Sequence, residues 1–373
     1  RFYKYIFEKV IMSNLNSKKV IYVLGTKAQF IKSKQVLLKL YEKNINILIL
    51  DTGQHKELTT KELKNSGLVY DYISLTDNKE NISKVLKMII WFFKIIMSSR
   101  HKEDFQNISY SLIHGDTVST LIGLIISKRN KIKTIHLESG YKSNNILKPF
   151  PEEIVRSIVS KYSDILVVDG EQQYKNVQKY INDKRIIKIS RNTIFDSVSE
   201  HINKGHTNTL HNQLIVTVHR TENVYIKTKL MALVDLLEEI IDRNYFDRIE
   251  WFCHDVTRNM LTKYRLINRL EEKGIVLSDL VSHDLFINEL IGSKAVITDG
   301  GSIAEECSLL GLNTIIWRDV VENNSYLNDN VMLSKYNNDT IHKFLLNLSS
   351  KRKKNIIKES PSGELVDELI QLL

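Results

Sequence analysis

Short runs of β-branched and aliphatic residues recur along this chain, and almost every run ends in a polar or glycine-bearing turn. Val20 to Leu24 stops at Gly25-Thr26, after which Ile31, Val36, Leu37, Leu40 and Tyr41 fall at helical spacing. Ile47 to Leu50 stops at Asp51-Thr52-Gly53-Gln54-His55. Tyr110 to Ile113 stops at His114-Gly115-Asp116-Thr117, with a helix predicted from Val118 to Ser127. Lys133 to Leu137 stops at Glu138-Ser139-Gly140, and Ile165 to Val168 is a further strand. Strands alternating with helices at this spacing predict a parallel sheet covered on both faces. The series then starts again. Leu214 to Val218 ends at His219-Arg220, Ile249 to Phe252 near His254, Ala295 to Thr298 at Asp299-Gly300-Gly301-Ser302, and Thr314 to Trp317 at Arg318-Asp319. Two such sets predict an α/β protein of two Rossmann-like domains facing a cleft. Residues 18–190 form the first and 191–355 the second, with an extension over 1–17 and a last segment over 356–373.

The chain of 373 residues is long enough for two domains. With 53 Lys and Arg against 44 Asp and Glu, the net charge is +9. That charge is spread along the chain rather than gathered on one helix, which disfavours a nucleic-acid binder and leaves a solvated surface or an anionic ligand. Cys253 and Cys307 make neither a disulfide framework nor a zinc spacing, the profile of a reducing, cytoplasmic compartment. No run reaches membrane-spanning length. The nearest, Met88 to Met97, is broken by Lys94 and reads as a buried or dimer-interface helix.

In parallel sheets of this kind ligands bind beyond the carboxyl ends of the strands. Lys27, Gln54, His55, Asp116, Glu138, His219, His254, Asp299 and Arg318 all stand there. So many titratable groups at one edge favour an enzyme with its site in the cleft. Gly300, Gly301 and Ser302 open a helix whose free N–H groups can hold a phosphate, unless Ser302 merely caps it. Glu305 and Glu306, one turn in, either meet ribose hydroxyls or complement the helix dipole. Lys27 and Lys32 suit a pyrophosphate, or are simply solvated. Pro151 starts a helix in which Glu152 and Arg156 share a face, as an ion pair or as part of a site where Glu138 and Glu152 converge.

These blocks together resemble the non-hydrolysing bacterial UDP-N-acetylglucosamine 2-epimerase family. The similarity runs through Gly25-Thr26-Lys27-Ala28-Gln29, Thr52-Gly53-Gln54-His55, His114-Gly115-Asp116-Thr117, His136-Leu137-Glu138-Ser139-Gly140, Pro149-Phe150-Pro151-Glu152-Glu153, His219-Arg220-Thr221-Glu222-Asn223 and Asp299 to Glu306 with Arg318-Asp319. The resemblance implies the two-domain fold of B-type glycosyltransferases (GT-B), with a C-terminal helix near Glu359 to Leu373 crossing back onto the first domain. It implies inversion of C2 in a UDP-2-acetamido sugar by elimination and re-addition of UDP, without metal or redox cofactor, in the service of capsule or surface polysaccharide, and commonly as a homodimer.

By the same resemblance, Asp116, Glu138, Glu152 and His219 are the catalytic candidates. Lys27, Lys32, Arg156, His254, Gly300, Gly301, Ser302, Glu305 and Arg318 are the substrate-binding ones, and Gln54 and His55 meet a second, activating substrate molecule. The chain departs from the family at Lys27, Lys142, Arg191, Thr221, Gly300, Ala304 and Asn323. Since the acid and base candidates survive, elimination chemistry is expected to persist with altered sugar specificity, weaker nucleotide binding or lost activation. A hydrolysing epimerase, a GT-B glycosyltransferase and an inactive nucleotide-sugar binder are the competing readings.

Overall fold

The computed structural model describes residues 18–76, 85–97, 105, 108–142, 151–203, 211–321, 326–348 and 360–373. The N-terminal extension, the Pro149-Phe150 part of one motif and the position of Asn323 lie outside these residues.

The first sheet contains β1 (Lys19–Leu24), β2 (Asn46–Asp51), β3 (Asp71–Ser74), β4 (Ile108–His114), β5 (Lys133–Leu137), β6 (Ile165–Val168) and β7 (Arg185–Lys188) in the order β3-β2-β1-β4-β5-β6-β7. The second contains β8 (Gln213–Thr217), β9 (Arg248–Cys253), β10 (Val276–Asp279), β11 (Ala295–Thr298), β12 (Asn313–Ile316) and β13 (Val331–Leu333) in the order β10-β9-β8-β11-β12-β13. Every pairing is parallel. Each sheet therefore has the Rossmann order, and in each the order reverses beside the first strand. Beyond β1 and β4, and again beyond β8 and β11, the chain leaves a crevice at the carboxyl edge.

Burial explains why the central strands read as apolar runs. Tyr22 and Leu24 sit beneath the first set of helices, and Trp251 and Trp317 fill the second core. Helix Ile194–Asn203 joins the lobes and touches both. Thr193 and Ser197 donate to the carbonyls of Lys32 and Ile31 at 2.6 and 2.8 Å. Val198, on the same helix, is buried with Ile215, Ile287 and Val296 of the second lobe.

The last helix spans Pro361–Ile370, capped by the Ser360 hydroxyl with Pro in its first turn. Its Leu365, Val366 and Leu369 are buried with Val20, Tyr22 and Leu37 of the first lobe. Glu364 fixes the approach by accepting from Ser190 N and Oγ at 2.7 and 2.6 Å. Helix Val85–Met97 buries Trp91 and Ile95 but leaves Ile90 60% and Phe93 56% exposed. Among the described residues no helix is long and apolar enough to cross a membrane.

Candidate active site

On the first lobe, Thr26 and Gln29 form a reciprocal cap on helix Lys27–Glu42. The Gln29 amide continues to the His114 carbonyl at 2.7 Å, tying the turn after β1 to the end of β4. Lys27 leaves this turn, pairs with Glu62 at 2.9 Å and reaches the Val281 carbonyl of the second lobe at 3.5 Å. Lys32, one turn on, forms an ion pair with Glu138 Oε1.

Glu138 occupies the left-handed region, with φ 60°. For a residue with a side chain this is an uncommon backbone, tolerated where the surroundings enforce it. Here Ser139 N donates to the Val167 carbonyl at 2.8 Å and Ser139 Oγ to the His136 carbonyl at 2.8 Å, locking the turn after β5. The Glu138 carboxylate also accepts from Asn192 Nδ2 at 2.8 Å, and its Oε2 lies 3.7 Å from His114 Nδ1. Burial alone would raise its pKa. Lys32 foremost, with His114 and Asn192, outweighs burial and holds it down at about 2. His114, buried in turn, is pushed down to about 4 and stays neutral near pH 7.

Gly140 completes this turn at φ 87°, and a Cβ there would lie 2.3 Å from the Gln173 carbonyl oxygen. Gly140→Ala therefore meets both a disfavoured backbone and a fixed carbonyl. It is expected to cost more than about 2 kcal/mol, measured by denaturant melts, and to lower turnover by displacing Glu138.

Asp116 and Glu152 lie around a single guanidinium. Arg156 Nη2 is 2.5 Å from Asp116 Oδ2 and its Nη1 is 2.9 Å from Glu153 Oε2. The i,i+4 ion pair between Glu152 and Arg156 does not form, because Arg156 is taken by these two acids. Glu152 Oε2 is buried without a hydrogen-bond partner. Burial raises the Glu152 pKa, the Asp116 charge adds to the rise, and Arg156 and Arg220 oppose it. Two glutamates of this lobe are thus driven in opposite directions.

The second lobe is organised by Asp299, which is fully buried after β11. It accepts from His219 N at 3.0 Å, Arg220 N at 2.8 Å and Asn223 Nδ2 at 2.9 Å. These bonds hold the turn after β8 so that His219 stacks on His254, centroids 4.2 Å apart. Burial lowers the pKa of both rings, that of His254 to about 3 with His219 and Lys27 adding to the shift. His55 from the first lobe also acts on His254, while Gln54 accepts from Ser119 at 2.6 Å.

Helix Gly301–Leu310 starts one residue after Gly300, and no side chain caps it. Ser302 is therefore inside the first turn rather than at the cap, and the leading N–H groups face the crevice side of β11 without it. The glutamates that follow part company. Glu306 is buried and accepts from His283 Nε2 at 2.8 Å. Glu305 faces Lys32, Glu138 and Asp169 of the first lobe; burial pushes it up to about 8, against the pull of Lys32. Arg318 is nearly buried, its Nε 3.5 Å from Glu222.

The strand-end rule missed Asp169, Tyr141 and Asn192, although Asp169 directly follows the apolar run of β6. Among the described residues, His201, His283 and Asp284 are the group whose possible ligand atoms lie within 4.8 Å of one another. Each ring nitrogen already faces a carboxylate, His201 Nε2 that of Asp284 at 3.1 Å and His283 Nε2 that of Glu306.

The profile of the UDP-N-acetylglucosamine 2-epimerase family matches residues 39–362. The chain belongs to this family. The UDP-N-acetylglucosamine 2-epimerase of Methanocaldococcus jannaschii is 24% identical over 94% of this chain and 98% of its own length. That of Campylobacter jejuni is 25% identical over 82% of each. Among solved structures, the M. jannaschii enzyme in complex with UDP-GlcNAc and UDP superposes with a TM-score of 0.79 at 23% identity, covering 95% of this chain and 100% of the other. The Neisseria meningitidis enzyme bound to UDP-GlcNAc gives the same TM-score at 21% identity, again over 95% and 100%. MurG of Acinetobacter baumannii shares the two-lobed GT-B-like fold more distantly, at a TM-score of 0.51 and 11% identity.

Proposed function

We propose that this chain interconverts UDP-N-acetylglucosamine and UDP-N-acetylmannosamine by elimination and re-addition of UDP. The feature that supports the reading is that, in one family member, Lys32 holds the pKa of Glu138 down while burial raises that of the nearby Glu152. Environments that drive two carboxyls apart assign a base and an acid. As the bond from C1 to the phosphate oxygen stretches, C1 gains cationic character and the C2 proton becomes acidic. Glu138 takes that proton, the C2–H electrons form the C1–C2 double bond, and the C1–O electrons leave with UDP. Glu152 returns a proton to the opposite face of C2, and a phosphate oxygen of UDP re-attacks C1. Asp116, fixed by Arg156, adds to the rise in the Glu152 pKa and so favours its acid form.

The other residues serve the leaving group. Lys27, Lys32 and the start of helix Gly301–Leu310 offer positive charge and N–H donors to the pyrophosphate. Binding draws Lys32 from Glu138 toward phosphate, which relaxes the depressed pKa of Glu138 and readies it as a base. His219 and His254 are uncharged rings at the same end. Glu305 and Arg318 meet the nucleoside side, and Gln54 and His55 a second substrate molecule. The two buried thiols, Cys253 and Cys307, suit a cytoplasmic enzyme that draws on nucleotide sugars for surface polysaccharide.

Incubation with UDP-N-acetylglucosamine, followed by proton NMR, tests the reaction. Accumulation of UDP-N-acetylmannosamine with UDP only in trace supports it. Release of free N-acetylmannosamine with stoichiometric UDP would instead make this a hydrolysing enzyme.

The exposed stripe of Ile89, Ile90, Phe93 and Met97 supports a homodimer through helix Val85–Met97. Light scattering of Phe93→Lys should then report half the wild-type mass; an unchanged dimer would place the interface elsewhere.

A further inference from the structure

Asp169 stands immediately after β6, beside Glu138, and no step of the reaction above employs it. Its Oδ2 accepts from the Tyr141 hydroxyl at 2.9 Å and from Asn192 Nδ2 at 2.7 Å. Its Oδ1 is buried with no hydrogen-bond partner. The same Asn192 nitrogen donates to Glu138 Oε1 at 2.8 Å. Asn192 Oδ1 accepts from Ile194 N at 3.1 Å, so the amide is oriented with its hydrogens toward the two carboxylates. One amide thus bridges the reacting glutamate to a second acid, at the join between the lobes. A buried carboxylate with one oxygen unsatisfied costs stability, so packing gives no reason for it.

We propose that Asp169 is a positioning residue for the reaction: through Asn192 it holds the Glu138 carboxylate in place and, when ionised, strengthens it as a base. This inference rests on the epimerase reading. The groups facing Asp169 are Glu138 after β5, Tyr141 beyond it, Asn192 at the join, Lys32 from helix Lys27–Glu42 and Glu305 from helix Gly301–Leu310. Burial, followed by the Glu138 charge, pushes its pKa up to about 6, against Tyr141, Asn192 and Lys32. Above that pH Asp169 is ionised; below it the acid holds a proton. Oδ1 can take that proton while both bonds at Oδ2 persist. Acidification then removes charge without loosening the geometry, and turnover declines as pH falls through about 6. The Tyr141 bond favours the ionised form, so losing it raises the pKa.

The test follows kcat and KM for UDP-N-acetylglucosamine against pH in wild type, Asp169→Asn and Tyr141→Phe, with thermal melts alongside. Wild type should show an acid limb near pH 6. Tyr141→Phe should move that limb to higher pH. Asp169→Asn should abolish it and lower kcat on the order of tenfold, with KM changed less than about twofold. Should Asp169→Asn not fold, the Tyr141→Phe limb decides alone. An unmoved limb in Tyr141→Phe, a retained limb in Asp169→Asn, or a loss confined to KM overturns the inference while leaving the epimerase reading intact. An inert wild type overturns both.

Discussion

Glu138→Gln lowers kcat by about a thousandfold, within the range that a positioned general base contributes. Glutamine keeps the size and the acceptor oxygen that Asn192 uses, so the left-handed turn between Leu137 and Gly140 has no reason to move. What is lost is the proton acceptor and the partner of Lys32. That lysine retains the opposite charge of Asp169, which keeps it from standing uncompensated in the crevice. UDP binding should therefore change little, and calorimetry with UDP separates a failed base from a failed fold. Wild-type turnover in Glu138→Gln would remove Glu138 from the reaction. Glu152→Gln makes the converse case, since the amide resembles the protonated acid in shape but cannot deliver its proton.

Asp299→Ala has the largest expected effect on stability. The carboxylate is fully buried and gathers the amides of His219 and Arg220 and the side chain of Asn223. Removing it strands several donors at once, two of them on the backbone of the turn that carries His219. Breaking a buried, multiply bonded charge of this kind costs at least about 3 kcal/mol, a fall of roughly 10 °C in the melting of the second lobe. Nucleotide affinity should fall with it, because the His219–His254 stack rests on that turn. Asp299→Asn retains the shape but offers only one acceptor oxygen, so it should lie between the two. A melting temperature unchanged in Asp299→Ala would mean that the turn is held by other contacts.

The central strands were legible because both faces of the sheet are covered. β5, β6 and β11 have the bounds that the sequence predicts, since every residue of β6 and β11 and all of β5 but Lys133 are buried. The edge strands were not. β3, β7 and β10 are short and half exposed, and Asp71, Lys188 and Asp279 break any apolar reading. They pair because a neighbouring strand offers its free edge, which is a tertiary fact. Within the candidate site, residue types at strand ends were readable, but partners were not. Helical spacing put Arg156 within reach of both Glu152 and Glu153, and only packing selects Glu153 and brings in Asp116 from the turn after β4. Likewise Glu305 and Glu306 are equivalent on spacing, and only packing turns one toward His283 and the other toward Lys32. The conformation of Glu138 has no local signature either, because glycine at Gly140 accounts for the turn without it.

The most direct measurement is the fate of the hydrogen on C2. In deuterated water, the wild-type chain should replace that proton of UDP-N-acetylglucosamine with deuterium, the C2 signal vanishing from the proton spectrum as the second epimer grows in. Complete retention of the C2 proton in a folded, UDP-binding sample would contradict an acid and a base acting across the sugar.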